Sequence, residues 1–144
     1  MGPIVSFRDL DAWRAAMDLT VSIYGVCRGF PRDEQYGLVQ QMRRAAVSVP
    51  SNIAEGQASG PGLRYRHHLR IALGSLAELS TQLDLAIRLH YVGAETAAET
   101  VAQLTRARQL LHGLHRAVSR QILTGTLTLV ALLGSGFAIA RLLS

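Results

Sequence analysis

Apolar residues recur in steps of three and four through four successive segments of the chain, and glycine and proline cluster between those segments. Such spacing gathers the apolar side chains of each segment on one helical face, and four such faces are buried only by packing helix against helix. In the first segment the stripe is Leu10, Trp13, Met17, Thr20, Tyr24 and Cys27, with a start near Asp9 and a stop near Gly29. A Phe-Pro-Arg-Asp-Glu turn follows, and its Asp33 and Glu34 suit the positive end of the next helix. That helix carries Leu38, Met42, Ala45 and Val49 on one face. Pro50 removes a backbone donor and crowds the carbonyl four residues back, so a kink is expected there, with Ile53 resuming the stripe and Gly56 ending the helix.

Gln-Ala-Ser-Gly-Pro-Gly then reads as a loop. The third stripe runs through Leu69, Ala72 or Leu73, Leu76, Leu79 or Ser80, Leu83 and Ile87, and Gly74 and Ser75 in its middle predict a closely approaching neighbour helix. Thr96 and Glu99 have the spacing of a capping box, and the fourth stripe follows as Val101, Leu104, Ala107 or Arg108, Leu111, Leu114 and Val118. With short connections these helices predict an all-α fold, an antiparallel up-down four-helix bundle over residues 1–119.

Residues 120–144 break the pattern and are predicted to form an additional apolar C-terminal helix. Positions 121–140 hold no charged residue and lie between Arg120 and Arg141, close to the roughly 20 residues that span a bilayer. Threonine, serine and glycine dilute this segment, which leaves three readings open: a membrane anchor, a helix buried in an oligomer core, or an irregular tail. The acids Asp9 and Asp11 and the lack of a long apolar run argue against an N-terminal signal peptide, so the expected place is the cytoplasm, tethered to the inner membrane if the tail spans it.

Catalytic chemistry finds little support. Glu55 and Glu78 are carboxylates near helix contacts, with no nucleophile or cofactor loop beside them. His112 and His115 share a helical face, yet the Glu-x-x-His pattern of bundle metal sites is missing, so solvated histidines are expected, as for His67 and His68. Cys27 falls on an apolar stripe and reads as core. The expectation is a protein that is not an enzyme and holds no metal or cofactor.

The charge is more informative. All fifteen basic residues are arginine, and the formal net charge is +5. Arginine favours planar anionic partners such as phosphate, although a GC-rich genome produces the same bias. Arg43 and Arg44 precede Pro50, and Arg64, Arg66 and Arg70 open the third helix. If the second and third helices are antiparallel neighbours, the two sets form one positive face suited to the phosphate backbone of RNA or DNA. Tyr65, with Tyr36 near the edge, is the aromatic available for base stacking. The competing reading is a solvated surface with salt bridges between subunits.

Several uncommon strings occur in fixed order: Phe-x-x-Leu-x-x-Trp, Phe-Pro-x-x-Glu-x-Tyr-Gly-Leu, Gln-x-Arg-Arg-Ala-Ala-x-Ser-Val-Pro-Ser-Asn-Ile-Ala-Glu-Gly and Ala-Leu-Gly-Ser-Leu-Ala-Glu-Leu-x-Thr-Gln-Leu. Over residues 7–119 the chain resembles the bacterial four-helix-bundle family named for proteins encoded in 23S ribosomal RNA intervening sequences, and it is similar to the accessory protein of diversity-generating retroelements. The resemblance implies a nonenzymatic homopentamer, with a reverse transcriptase and RNA or DNA as partners in the retroelement branch. It makes Arg43 and Arg44 candidates for contact or assembly. It also makes Pro50, Ser51, Asn52, Glu55 and Gly56 the motif that shapes the end of the second helix. The apolar tail after residue 120 departs from the family pattern.

Overall fold

Each stripe becomes one helix: α1 (Asp11–Cys27), α2 (Leu38–Ala58), α3 (Leu63–Arg88) and α4 (Ala94–Leu142). The computed structural model describes residues 5–142, with side-chain environments described through Thr128. The helices form a ring in chain order, each packed on its sequence neighbour and α4 closing on α1, with no diagonal pair among the described residues. The expected all-α up-down bundle is therefore the observed one. Leu19, Ile23, Met42, Ile53, Leu69, Leu76, Leu79, Leu83 and Leu111 fill its centre, essentially shielded from water. Burying a side chain of that size contributes on the order of 1.5–3 kcal/mol.

The face that α1 buries matches the expected stripe at Leu10, Thr20 and Cys27 but not at Met17 and Tyr24. Ala12, Ala16, Leu19, Thr20, Ile23 and Cys27 point inward, whereas Met17, Val21 and Tyr24 are exposed. Small Ala12 and Ala16 let α1 approach its neighbours on a side that a count of large apolar residues does not select. The first turn before α1 is fixed by a capping box that the sequence reading missed. Ser6 Oγ accepts from the Arg8 backbone N–H at 3.3 Å, and Asp9 accepts from the backbone N–H of Ser6 at 2.8 Å.

Helix α2 runs unbroken through Pro50 and ends at Ala58, not at Gly56. An interior proline leaves the carbonyl of residue 46 without its helical donor. The Thr20 hydroxyl of α1 reaches that oxygen, lying 3.0 Å from Ala46 O and 2.7 Å from Ala16 O. At the other end of α2, Glu34 accepts from the Leu38 backbone N–H at 3.0 Å, which realises the expected role of an acid at the helix start. Tyr91 donates to the second Glu34 oxygen at 3.2 Å and ties the α3–α4 turn to the same end of the bundle.

Helix α4 begins at Ala94, two positions before Thr96, so Thr96 and Glu99 form no capping box; the Thr96 carbonyl instead accepts from the Thr100 hydroxyl at 2.7 Å. The apolar tail forms no separate helix. It prolongs α4 to 49 residues, a length of about 74 Å at 1.5 Å per residue. Where the bundle ends, Leu123 and Leu127 become exposed. Among the described residues no helix is long and apolar enough to cross a membrane. The candidate span 121–140 continues past Thr128, so most of it lies outside the described side chains.

Candidate anion-binding faces

The basic residues separate onto two sides of the bundle. Arg43 turns toward α1, where its guanidinium sits 4.9 Å from the centre of the Tyr24 ring and its Nε is buried without a hydrogen-bond partner. It also faces Cys27, whose thiol is pushed up by burial while Arg43 acts in the opposite direction. Arg44 is exposed on α2. On the far side of the ring, Arg66 and Arg70 of α3 face α4, close enough to His115 to act on its charge. Arg64 is exposed in the first turn of α3. Although α2 and α3 are antiparallel neighbours, Arg43 is therefore not brought together with Arg66 and Arg70.

A second arginine set, which spacing alone did not pick out, lies on α4. Residues 57–77 contain no aspartate or glutamate, and neither do residues 100–144. The ring order apposes these two stretches, because α3 and α4 run antiparallel. Arg64, Arg66 and Arg70 thus share one end of the α3–α4 pair with Arg116 and Arg120, while Arg106 and Arg108 lie nearer its middle. Among the described residues the ion pairs are Arg14 with Asp11 at 3.4 Å and, when the imidazole is charged, His68 with Glu55 at 3.6 Å; no arginine of α3 or α4 has a carboxylate partner.

His115 lies within this field. Burial, then Arg66, His112 and Arg70 hold its imidazole below the ordinary value of 6.5, and its Nε2 is buried with no hydrogen-bond partner. Nearer the middle of the pair the α3–α4 groove opens into a cavity of about 490 Å³, floored by Gly74, Leu76 and Ala77 and bordered by Arg108 and His112. Gly74 is open here, with nothing within 4 Å of a built Cβ, so it marks no close helix approach. His115 and His68 are half-buried and not the solvated residues expected. Among the described residues no three histidine, cysteine or acidic side chains converge as a metal site.

The Pro50 to Gly56 segment is a packing device. Ser48 and Ser75 share a hydrogen bond of 2.8 Å across α2 and α3, and Asn52 donates to the Ser48 carbonyl at 2.9 Å. Asn52 Oδ1 lies 3.2 Å from His68 Nδ1, and Glu55 borders the same nitrogen. Ser51 donates back to the Val47 carbonyl at 2.8 Å. A Cβ on Gly56 would lie 2.6 Å from Tyr65 Cδ2 and 3.1 Å from His68 Cβ, so this glycine permits the close contact between α2 and α3. The motif thus fastens α2 along α3 and does not terminate α2. Ser75 meets the close neighbour helix expected at its position, whereas Ser48 carries no signal in spacing, since its partner comes from another helix.

The fold is similar to that in the crystal structure of a protein with unknown function from the S23 ribosomal protein family of Bacteroides thetaiotaomicron VPI-5482. The TM-score is 0.67 at 21% sequence identity, covering 73% of this chain and 95% of that chain. At that identity the likeness shows the fold. No curated protein matches the sequence. Residues 8–113, most of the chain and all of its helical core up to the middle of α4, match the 23S rRNA-intervening sequence protein family, and the chain belongs to that family.

Proposed function

We propose that this protein is a nonenzymatic, oligomeric accessory protein that binds the phosphate backbone of RNA or DNA, or a reverse-transcriptase-like partner, through its arginine-rich faces. The observation that carries the reading is the acid-free apposition of α3 and α4, five arginines at one end of a helix pair and two more toward its middle, with no carboxylate partner among the described residues. Local helix energetics oppose this arrangement. Arg64 and Arg66 lie at the N-terminal end of α3, where the helix dipole disfavours cations, and no acid occupies that first turn. A polyanion supplies the missing countercharge and releases its own counterions as it binds.

Assembly into a homo-oligomer, with a pentamer as the family expectation, is supported by α1. Met17, Val21 and Tyr24 are exposed at helical spacing, with Val47 of α2 also exposed, so α1 is apolar on a second face that the bundle leaves uncovered. This surface also supports the alternative of a structural or adaptor oligomer without nucleic-acid binding. In that alternative the tail tethers it to the inner membrane.

The experiment is a salt-series titration of the full chain against structured RNA and single-stranded DNA, with particle mass measured on the same samples. Binding that weakens steeply with salt supports the accessory reading, each phosphate contact adding about 0.7–0.9 to the slope of log K against log salt. A well-folded oligomer that binds neither nucleic acid at low salt leaves the adaptor reading.

A further inference from the structure

We propose that the end of the bundle from which α4 emerges is a docking face for an anionic membrane surface, where Leu63, Leu123 and Leu127 enter the lipid boundary and Arg64, Arg66 and Arg120 take lipid phosphates. The proposal goes beyond the nucleic-acid reading and shares only its arginines. It needs the boundary layer of a bilayer, about 5–10 Å deep, and no spanning helix.

The apolar part is built where the α2–α3 loop meets α4. Pro61 and Leu63 line a cavity of about 510 Å³ together with Ile122, Gly125 and Thr126, which puts Leu63 level with the stretch of α4 that carries Leu123 and Leu127. These three leucines are 64%, 63% and 69% exposed, so most of each side chain faces outward. Thr124, Thr126 and Thr128 lie among them, yet each hydroxyl donates to a carbonyl one turn back, at 3.1 Å to Arg120 O, 2.9 Å to Ile122 O and 2.9 Å to Thr124 O. A threonine whose donor is used within its own helix brings little unmet polarity into an apolar layer. Beyond these residues the sequence carries no charge until Arg141.

The arginines border this apolar level. Arg64 and Arg66 follow Leu63, and Arg120 precedes Ile122 by two positions, so each lies within about 5 Å of a cavity-lining residue along its helix axis, inside the reach of an arginine side chain. The carboxylates at the same end are already engaged. Asp9 accepts from the backbone N–H groups of Val5 and Ser6 at 3.0 and 2.8 Å, Asp11 pairs with Arg14 at 3.4 Å, and Glu55 borders His68 at 3.6 Å.

Charge and apolarity together select the partner at this end. A nucleic-acid strand would use the arginines but gain nothing from the leucines. Tyr65, between Arg64 and Arg66, is half-buried with its ring against Gly56, so it is not free to stack on bases. An anionic bilayer uses both sets, its phosphates matching the guanidinium forks and its acyl boundary taking the leucines.

The test uses the full chain with two kinds of probe. Flotation is measured with vesicles of phosphatidylcholine alone and of phosphatidylcholine with phosphatidylglycerol at about 2:1, and a labelled single-stranded DNA is titrated by fluorescence anisotropy. The chain should bind the anionic vesicles at least about tenfold more tightly than the neutral ones, and salt should weaken that binding. R64Q/R120Q, at two exposed positions, should weaken it about fivefold for each arginine removed, and L63S about tenfold. R32Q, at the opposite end, should leave it unchanged. L63W should add a blue-shifted emission on anionic vesicles that the wild type, with Trp13 alone, lacks. Vesicle binding that ignores both R64Q/R120Q and L63S overturns the docking face, because the tail alone then holds the membrane. If the chain binds the strand and neither vesicle, the docking face is overturned and the nucleic-acid reading stands. If it binds anionic vesicles through these residues and no strand, the docking face stands and the nucleic-acid reading falls. Binding to both, with L63S weakening the vesicle arm alone, supports the docking face beside strand binding by the same arginines. Binding to neither overturns both.

Discussion

The hydroxyl of Thr20 lies 3.0 Å from the carbonyl oxygen of Ala46, the carbonyl that Pro50 leaves without a helical donor. A single proton serves two acceptors here, and Ala46 has the greater need, because the Ala16 oxygen already receives the backbone N–H of Thr20 within α1. An interior proline that costs about 3 kcal/mol in an isolated helix is thereby made compatible with an unbroken α2.

Thr20→Val should lower the unfolding free energy by about 1–3 kcal/mol in urea titrations, since it keeps the shape and leaves a buried carbonyl unsatisfied. In a Pro50→Ala background, where the new N–H can serve Ala46, the same change should cost about 1 kcal/mol less. Equal costs in the two backgrounds would show that the hydroxyl does not compensate for the proline.

Gly56 and Gly74 should respond to alanine with opposite signs. Gly56→Ala drives a methyl to 2.6 Å from the Tyr65 ring and should destabilise by about 1–3 kcal/mol. Gly74→Ala enters open space and should stabilise by up to about 1 kcal/mol through helix propensity. Thermal melts of the two variants check the pair.

The Ser48–Ser75 contact predicts a non-additive pair. Either serine changed alone to alanine leaves a hydroxyl short of a partner at the α2–α3 contact and should cost about 1 kcal/mol. The double variant should cost less than the two singles together, which a double-mutant cycle measures directly.

Acid should weaken the fold through His115. Its folded-state value lies below the ordinary 6.5, so the unfolded chain binds its proton first. The stability contribution is complete above the unfolded value and is lost as pH falls through the lower folded one. Melting temperature should therefore drop between about pH 7 and about pH 5, and H115Q should show a shallower drop over that interval.

Arg43 and Arg44 should part company. R43A removes a guanidinium stacked on Tyr24 and should cost about 0.5–1 kcal/mol of stability. R44A changes an exposed side chain and should stay within about 0.5 kcal/mol of the wild type in the same denaturation assay.

The bundle was legible because apolar period needs no knowledge of neighbours. Met42, Val49, Leu69, Leu76 and Leu111 announce their helices and are buried where expected. The α1 face was misread because Ala12 and Ala16 look neutral in a count of apolar bulk, while Met17 and Tyr24 look like core and are not. The arginines were recognisable as a group but not as two faces, since the direction of Arg43 depends on a ring in α1. The partner of Arg66 and Arg70 depends on which helix closes the ring. What reading composition along the chain could have found is the acid-free run from residue 100 onward, which joins Arg116 and Arg120 to the α3 set.

The charge division between the two ends of the α3–α4 pair makes the hairpin an electric dipole. Arg64, Arg66, Arg70, Arg116 and Arg120 occupy the end near the α2–α3 loop, while Asp84, Glu95 and Glu99, with Arg88, occupy the other, and Arg106, Arg108 and Glu78 lie between. In the field of a polyanion such a body experiences a torque as well as an attraction, and it turns its arginine end forward before contact, over the Debye distance of about 8 Å at physiological salt. The prolonged α4 leaves the bundle at that same end, so the helix leads the approach, and whatever it carries arrives at the polyanion ahead of the bundle core.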